Sequence, residues 1–151
     1  MSKDMKLDRL AGIPLFAGTG RRELQRIAQL STGVWLPASE VLCRQGTQAR
    51  EMIIVQEGLA TVHMDGRHVG VLVPGDFFGE LPLLSGQAYT ATVMAATPMH
   101  VLILTRDEFS SLLEDAPVVA ARILRTLGGY RWTAVDVPEE RVGRLPQTVG
   151  V

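Results

Sequence analysis

The pattern of apolar and polar positions divides the chain into a helical start, a central region of short strands and a helical end. Residues 20–30 place leucine and isoleucine at helical spacing, with arginine and glutamine on the other face, which predicts an amphipathic helix. Thr19 stands where the N-cap of that helix is expected. The apolar segment 13–16 before it contains a proline, so it predicts a turn that packs on the core.

The central region, from Gly33 to Thr105, consists of short apolar runs separated by turn residues. Many short strands at such spacing are typical of a β-sandwich or a small barrel. Within 59–64 the apolar and polar positions alternate, which predicts a strand with one buried and one solvent-exposed face. Asp65-Gly66 follows this run and predicts a hairpin. The runs cover residues 34–36, 41–44, 52–55, 59–64, 68–73, 90–96 and 100–104.

Helical patterns return after Thr105, over 106–115 and again from Pro117, since proline is well tolerated in a first helical turn. The apolar residues of this last helix exceed one narrow stripe. We therefore expect any homodimer to form through helix 117–131, with Val119 and Ile123 as the residues to change. Residues 136–151 show little periodicity and are interpreted as a flexible tail.

Chain length and composition limit the number of domains and the classes of partner. Its 151 residues predict one domain, here residues 1–135, followed by the tail at 136–151. The 15 basic and 16 acidic side chains give a net charge of −1 and are scattered, which disfavours nucleic acid as a primary partner. No apolar run reaches the length of a membrane span, and no signal peptide is evident at the N-terminus. We expect a cytoplasmic protein.

Candidate catalytic chemistry is sparse. No nucleophile stands with a base, and no carboxylates are paired, so we expect no enzyme and no cofactor. The single cysteine, Cys43, excludes an intramolecular disulfide and is interpreted as a small core residue. The histidines at 63, 68 and 100 lack close pairing along the chain, so we expect no metal site.

The segment 74–97 is the least generic part of the chain. It joins a Pro-Gly-Asp turn, a short apolar helix, a polar loop and a strand. A helix start with free N–H groups favours an anion, and Gly79 leaves the backbone open to a ligand. Glu80 is suited to accept from a ribose hydroxyl, or alternatively to cap the short helix. A site for a phosphate-bearing sugar follows as a hypothesis.

The same segment resembles the cyclic nucleotide-binding domain family, found in bacterial cAMP receptor proteins, kinase regulatory subunits and cyclic nucleotide-gated channels. The Gly79-Glu80-Leu81 sequence in its context is the most specific element. The residues that carry the resemblance are 10–24, Gly46, 53–62, Asp65-Gly66, 74–84, 90–109 and the helix after Pro117.

The resemblance implies a mainly β fold, an eight-stranded, jelly-roll-like β-roll with N-terminal and C-terminal helices. It implies that 79–92 is a phosphate-binding cassette in which Glu80 accepts from the ribose 2′-OH. The implied ligand contacts are Val69, Gly70, Val71 and Leu72 near the base or ribose, Gly79 and Glu80, and the N–H groups of Leu81, Leu83 and Thr90 or Ala91 near the phosphate. The C-terminal helix would respond to the ligand, with Tyr130 and Trp132 as candidate lids.

One position departs from the family pattern. Tyr89 stands where the family usually has an arginine that grips the phosphate. A phenol can donate one hydrogen bond but cannot neutralise a charge. Tyr89 is either a ligand contact or a half-buried packing residue. A contact from Thr90 would weakly favour cGMP.

Two functions follow from these residues. The first is a regulatory module that binds a cyclic nucleotide, cAMP or cGMP, or a related small phosphate anion, and signals through its C-terminal helix. The alternative is a degenerate domain that keeps the fold as a protein-interaction module and binds no nucleotide. Too few residues follow Val135 for a helix-turn-helix, so we expect no direct DNA binding by this chain.

Overall fold

The computed structural model describes residues 3–127 and 148–149, and it is mainly antiparallel β with flanking helices. The helices are α1 (Lys3–Ala11), a 3-10 turn (Pro14–Phe16), α2 (Arg21–Leu30), α3 (Glu80–Ser85), α4 (Arg106–Asp115) and α5 (Pro117–Leu127). The strands are β1 (Thr32–Leu36), β2 (Val41–Cys43), β3 (Glu51–Glu57), β4 (Ala60–Met64), β5 (Arg67–Leu72), β6 (Phe77–Phe78), β7 (Thr92–Ala95), β8 (Met99–Thr105) and the two-residue β9 (Thr148–Val149). The predicted β-roll with helices on both sides is confirmed.

The strands form two sheets. One sheet has the order β1-β8-β3-β6-β9 and the other the order β2-β7-β4-β5. Among strands β1 to β8 every pair is antiparallel, whereas β9 pairs with β6 in the parallel direction. The sequence predicted no element within 136–151, since two residues are too few to show a periodicity.

The core has two parts because β3 is buried on both faces. Met52 and Ile54 belong to the apolar cluster formed with the helices, whereas Ile53 and Val55 belong to the cluster that includes residues of β4, β5 and β7. A strand covered on both sides needs a continuous apolar run, which residues 52–55 provide. Both the helical layer and the second sheet are therefore packed on this one strand.

Helix α2 begins one residue later than the predicted cap implies. Its N-cap is Gly20, and no side chain caps it. Thr19 instead uses its N–H to bond the Phe16 carbonyl at 3.1 Å, which makes it part of the turn that follows the 3-10 segment. The capping box at α4 is complete, since Thr105 and Glu108 bond each other's backbone N–H.

The hairpin of β4 and β5 turns at Asp65 and Gly66, both with positive φ, as predicted for this pair. The side chain of Gln45 bonds both the carboxylate and the N–H of Asp65, at 2.8 and 2.9 Å. Strand register places His63 opposite His68, with ring centroids 5.3 Å apart. The expectation that the histidines lack close pairing is wrong for these two, because the hairpin, not their sequence spacing, brings them together.

Helix α5 packs on the helical part of the core. Val119 and Ile123 are 0% exposed, whereas Val118 is 45% exposed. The two residues whose substitution was expected to disrupt a dimer are thus core residues. Changing them would destabilise the packing of α5 on its own domain. Of the apolar side chains that the structure describes on this helix, Val119 and Ile123 pack within the chain and Val118 is the large exposed one.

Candidate functional site

The turn that leads into the predicted cassette is tied to β3. Asp76 is fully buried, and its carboxylate accepts from the Val73 N–H at 2.8 Å. Val55 donates to the Asp76 carbonyl and accepts from the Gly75 N–H, at 2.9 and 2.8 Å. A Cβ on Gly75 would lie 2.8 Å from Pro14 Cδ, so the turn also presses on the N-terminal 3-10 turn. The start of the site is therefore held from two sides.

Gly79 ends β6 and caps α3 in a left-handed conformation, with φ of 92°. A Cβ at this position would come within 2.6 Å of the Glu51 carbonyl oxygen. Both the dihedral angle and the close approach require glycine here. This sharp turn sets the direction in which the next residue, Glu80, leaves the backbone.

Glu80 is the first residue of α3 and is 0% exposed. Neither oxygen of its carboxylate has a hydrogen-bond partner among the described residues. Burial raises the pKa of Glu80 to about 8, and its own backbone N–H opposes this shift without reaching hydrogen-bond geometry with either oxygen. A buried carboxyl group without partners is costly, so the site favours a ligand that supplies hydroxyl donors.

Tyr89 lies in the loop before β7 and is 7% exposed. Its hydroxyl donates to the Glu51 carbonyl at 2.9 Å and lies 3.3 Å from the Glu51 N–H. Its backbone bonds Thr47 and Gly46, each at 2.9 Å. Burial raises the pKa of Tyr89, so the phenol stays protonated. The hydroxyl is thus already occupied by the edge of β3, and a phosphate would have to compete with that bond.

The backbone of α3 offers fewer free donors than expected. The Leu83 N–H bonds the Gly79 carbonyl at 3.1 Å and closes the first turn of the helix. This N–H therefore already has a partner within the helix, and its predicted contact with a phosphate stays a prediction. Leu83 is also buried in the cluster formed with the helices, away from the apolar cluster that contains Tyr89. Leu81 is half-buried.

The remaining predicted ligand-contact residues differ in how far they are buried. Val69, Leu72 and Ala91 belong to the same buried cluster as Tyr89, so the structure brings these four together. Gly70 is buried, Val71 is half-buried, and Thr90 is exposed. Strand β7 begins at Thr92, two residues later than the pattern predicted, which leaves Thr90 and Ala91 in the loop.

The family can now be assigned. The sequence profile of the cyclic nucleotide-binding domain matches residues 34–116, which contain the turn, Gly79, Glu80 and Tyr89. The chain belongs to the cyclic nucleotide-binding domain family. No helix that the structure describes is long and apolar enough to cross a membrane.

Relatives of this cyclic nucleotide-binding domain include a cyclic nucleotide-gated potassium channel of Rhizobium etli. The two are 36% identical over 78% of this chain and 33% of the channel. Among solved structures, the regulatory subunit of a cAMP-independent protein kinase A from Trypanosoma brucei superimposes with a TM-score of 0.73 at 25% identity, covering 82% of this chain and 44% of that one.

A variant of the trypanosome protein is also similar. It carries three substitutions, one of them threonine to arginine, and is bound to cAMP in its A site. It aligns with a TM-score of 0.69 and 26% identity over 80% of this chain and 46% of that one. The present chain thus spans about a third of the curated channel and under half of these solved chains.

Arg50, Arg67 and Arg122 lie outside residues 79–92, so only the fold could bring one of them to the place of the missing cassette arginine. Arg122 donates to the Leu15 carbonyl at 2.9 Å, on the side of the N-terminal 3-10 turn. Arg67 is exposed at the start of β5, and Arg50 is exposed beside an open groove that includes Gly86. The pKa of Glu80 responds to burial and its own backbone, so no cation of the described chain compensates that carboxyl group.

Sequence reasoning missed Glu51, whose backbone contacts both Gly79 and Tyr89. Main-chain atoms carry no sequence signal, since any residue at position 51 would present the same carbonyl. The strong turn signal at Gly79 could have indicated a close backbone neighbour, but not which one. The predicted lids, Tyr130 and Trp132, lie outside the described residues.

Proposed function

We propose that this domain is a ligand-sensing regulatory module that binds a cyclic nucleotide, cAMP or cGMP, or a related small phosphate anion. The buried carboxyl group of Glu80, with no partner on either oxygen, carries the proposal. The ribose 2′-OH, the one free hydroxyl on the sugar of cAMP or cGMP, would donate to one oxygen of this group. The domain family to which the chain belongs, and the cAMP bound to a similar solved protein, support the choice of ligand.

We expect the affinity to be weak because of Tyr89. A cyclic phosphate brings one negative charge, and the tyrosine hydroxyl already bonds the Glu51 carbonyl. Loss of a charge-assisted hydrogen bond costs roughly 1.5–3 kcal/mol, or about 10-fold to 150-fold in affinity. The similar protein described as cAMP-independent, and its cAMP-bound variant with an added arginine, support the importance of a cation.

The output of the module would be movement of α5. The turn at Gly75 touches Pro14, and the same 3-10 turn contributes the Leu15 carbonyl that binds Arg122 of α5. Leu15 and Phe16 share one apolar cluster with Val119 and Ile123. A ligand that shifts the start of the cassette would therefore act on α5 through this turn.

The alternative is a protein-interaction module that binds no nucleotide. The observation that favours it is the same Tyr89 hydroxyl bond, which keeps the cassette closed on β3 without any ligand. In both cases the module is non-catalytic and cytoplasmic. A homodimer, if one forms, would use the part of helix 117–131 that is not packed on the core.

Calorimetric titration with cAMP, cGMP and adenosine tests the proposal. Adenosine offers ribose hydroxyls without the phosphate charge, so it isolates the contribution of Glu80. We expect weak binding of a cyclic nucleotide by the natural chain and a loss of at least tenfold in Glu80→Ala. Glu57→Ala, an exposed carboxylate on the same strand as Glu51, is the matched control and should bind like the natural chain. Absence of binding to the natural chain and to Tyr89→Arg would overturn the proposal and favour the interaction module.

A further inference from the structure

The β4–β5 hairpin carries a pair of histidines that the proposed nucleotide site does not use. His63 and His68 are cross-strand partners, and both side chains lie on the outer face, since their neighbours Val62 and Val69 are buried. Their ring centroids are 5.3 Å apart with an interplanar angle of 31°. No group of three or more metal-binding side chains is present in the described part of the chain, so any ion here would have two protein ligands.

Hydrogen bonds determine which nitrogen of His68 carries its proton. The Nε2 atom lies 3.0 Å from the Gly70 carbonyl oxygen. A carbonyl can only accept, so Nε2 must donate, and the neutral ring keeps its lone pair on Nδ1. A histidine that ligates a metal through one nitrogen usually donates from the other to a carbonyl or carboxylate.

His63 is held in the same tautomer. Its Nε2 atom lies 3.1 Å from the Thr61 hydroxyl, and that hydroxyl donates its single proton to the Met94 carbonyl at 3.4 Å. The hydroxyl therefore accepts from Nε2–H, and Nδ1 of His63 also keeps its lone pair.

We propose that His63 and His68 form a two-imidazole site for a divalent late first-row transition-metal ion, completed by water. Imidazole nitrogen binds such ions at about 2.0–2.1 Å, which places each ring centroid about 3 Å from the metal. Two rings at a tetrahedral angle would then have centroids about 5 Å apart, close to the observed 5.3 Å. The clamp from Gln45 to Asp65 holds the hairpin turn next to the pair.

Calorimetric titration of tag-free protein with Zn²⁺ alone tests the site. We expect one ion per chain and at least a tenfold loss of affinity in His63→Asn and in His68→Asn. His100→Asn is the matched control, because His100 is the remaining histidine of the sequence and stacks on Trp35 of the other sheet. Equal affinity in the natural chain and His68→Asn, or no binding to the natural chain, overturns the proposal.

Nitrogen-15 NMR spectra of the natural chain test the same site, and this test does not require that a substituted variant folds. Zn²⁺ should shift the Nδ1 resonances of His63 and His68 and leave those of His100 in place. A larger shift at Nε2 than at Nδ1 of these two rings, or a shift at His100 alone, contradicts the site. Binding should also raise Tm, and above Kd the stabilisation should grow with the logarithm of the Zn²⁺ concentration, since an ion that binds only the folded state stabilises it by mass action.

Discussion

The two ends of the cassette differ in whether their polar side chains have hydrogen-bond partners within the chain. At one end Glu80 is a buried acceptor with no donor among the described residues, whereas at the other end Tyr89 is a donor that already has an acceptor on β3. The Glu80 end is incomplete without a ligand, and the Tyr89 end is complete without one. This difference shows that polar side chains a few residues apart in one cassette can differ completely in how far the chain itself satisfies them.

The largest expected effect comes from Gly79→Ala, which disturbs both ends. The added Cβ would meet the Glu51 carbonyl at 2.6 Å, in a backbone conformation that side chains rarely adopt. Left-handed strain and overpacking together should cost about 3–5 kcal/mol of unfolding free energy. Urea denaturation measures this, with Gly86→Ala as the control, because Gly86 has a similar φ but open space at its Cβ. Equal losses in both would mean that the contact with Glu51 is unimportant.

Glu80→Gln should change the pH dependence of stability. The folded-state pKa of about 8 lies above the ordinary value of 4.5, so the folded chain binds more protons than the unfolded chain between these pH values. Glu80 therefore contributes stability at low pH that is lost as pH rises to about 8. A shift of this size corresponds to on the order of 4 kcal/mol. Urea midpoints from pH 5 to 9 should fall in the natural chain and stay flatter in Glu80→Gln; matching slopes would refute the buried, unpartnered carboxyl.

Tyr89→Arg should raise the affinity for cAMP by roughly 10-fold to 150-fold, since it adds a charge-assisted hydrogen bond at the phosphate end. Tyr89→Gln removes the same phenol without adding charge and is the matched control. Calorimetric titration of the natural chain and both variants with cAMP separates the effect of losing the phenol ring from the effect of adding a cation. Tight cAMP binding by the natural chain would show that another group already supplies the charge.

Tyr89→Phe should have the smallest effect, a loss of about 1–2 kcal/mol in unfolding free energy. It removes the hydroxyl that bonds the Glu51 carbonyl, leaving that acceptor without this donor. Its cAMP affinity should not rise to that of Tyr89→Arg. A stability equal to that of the natural chain would indicate that the hydroxyl bond does not hold the cassette on β3.

Periodicity and turn chemistry allowed most elements to be predicted. The alternation in 59–64, the Asp65-Gly66 turn and the proline at 117 are local signals, and local signals place a hairpin and helix ends well. The N-cap at Thr19 and the start of β7 were missed by one or two residues, because neighbouring backbone hydrogen bonds extend a turn or a loop there.

The sequence by itself determined the family, the glycine and glutamate at the start of the cassette and the absence of arginine at position 89. Only the tertiary structure decided that Glu80 is buried without a partner, that Tyr89 bonds Glu51 and that His63 faces His68. It also decided that Val119 and Ile123 pack inward rather than toward a second copy. The physical reason is that burial and pairing depend on neighbours distant along the chain, whereas residue identity and turn propensity are local.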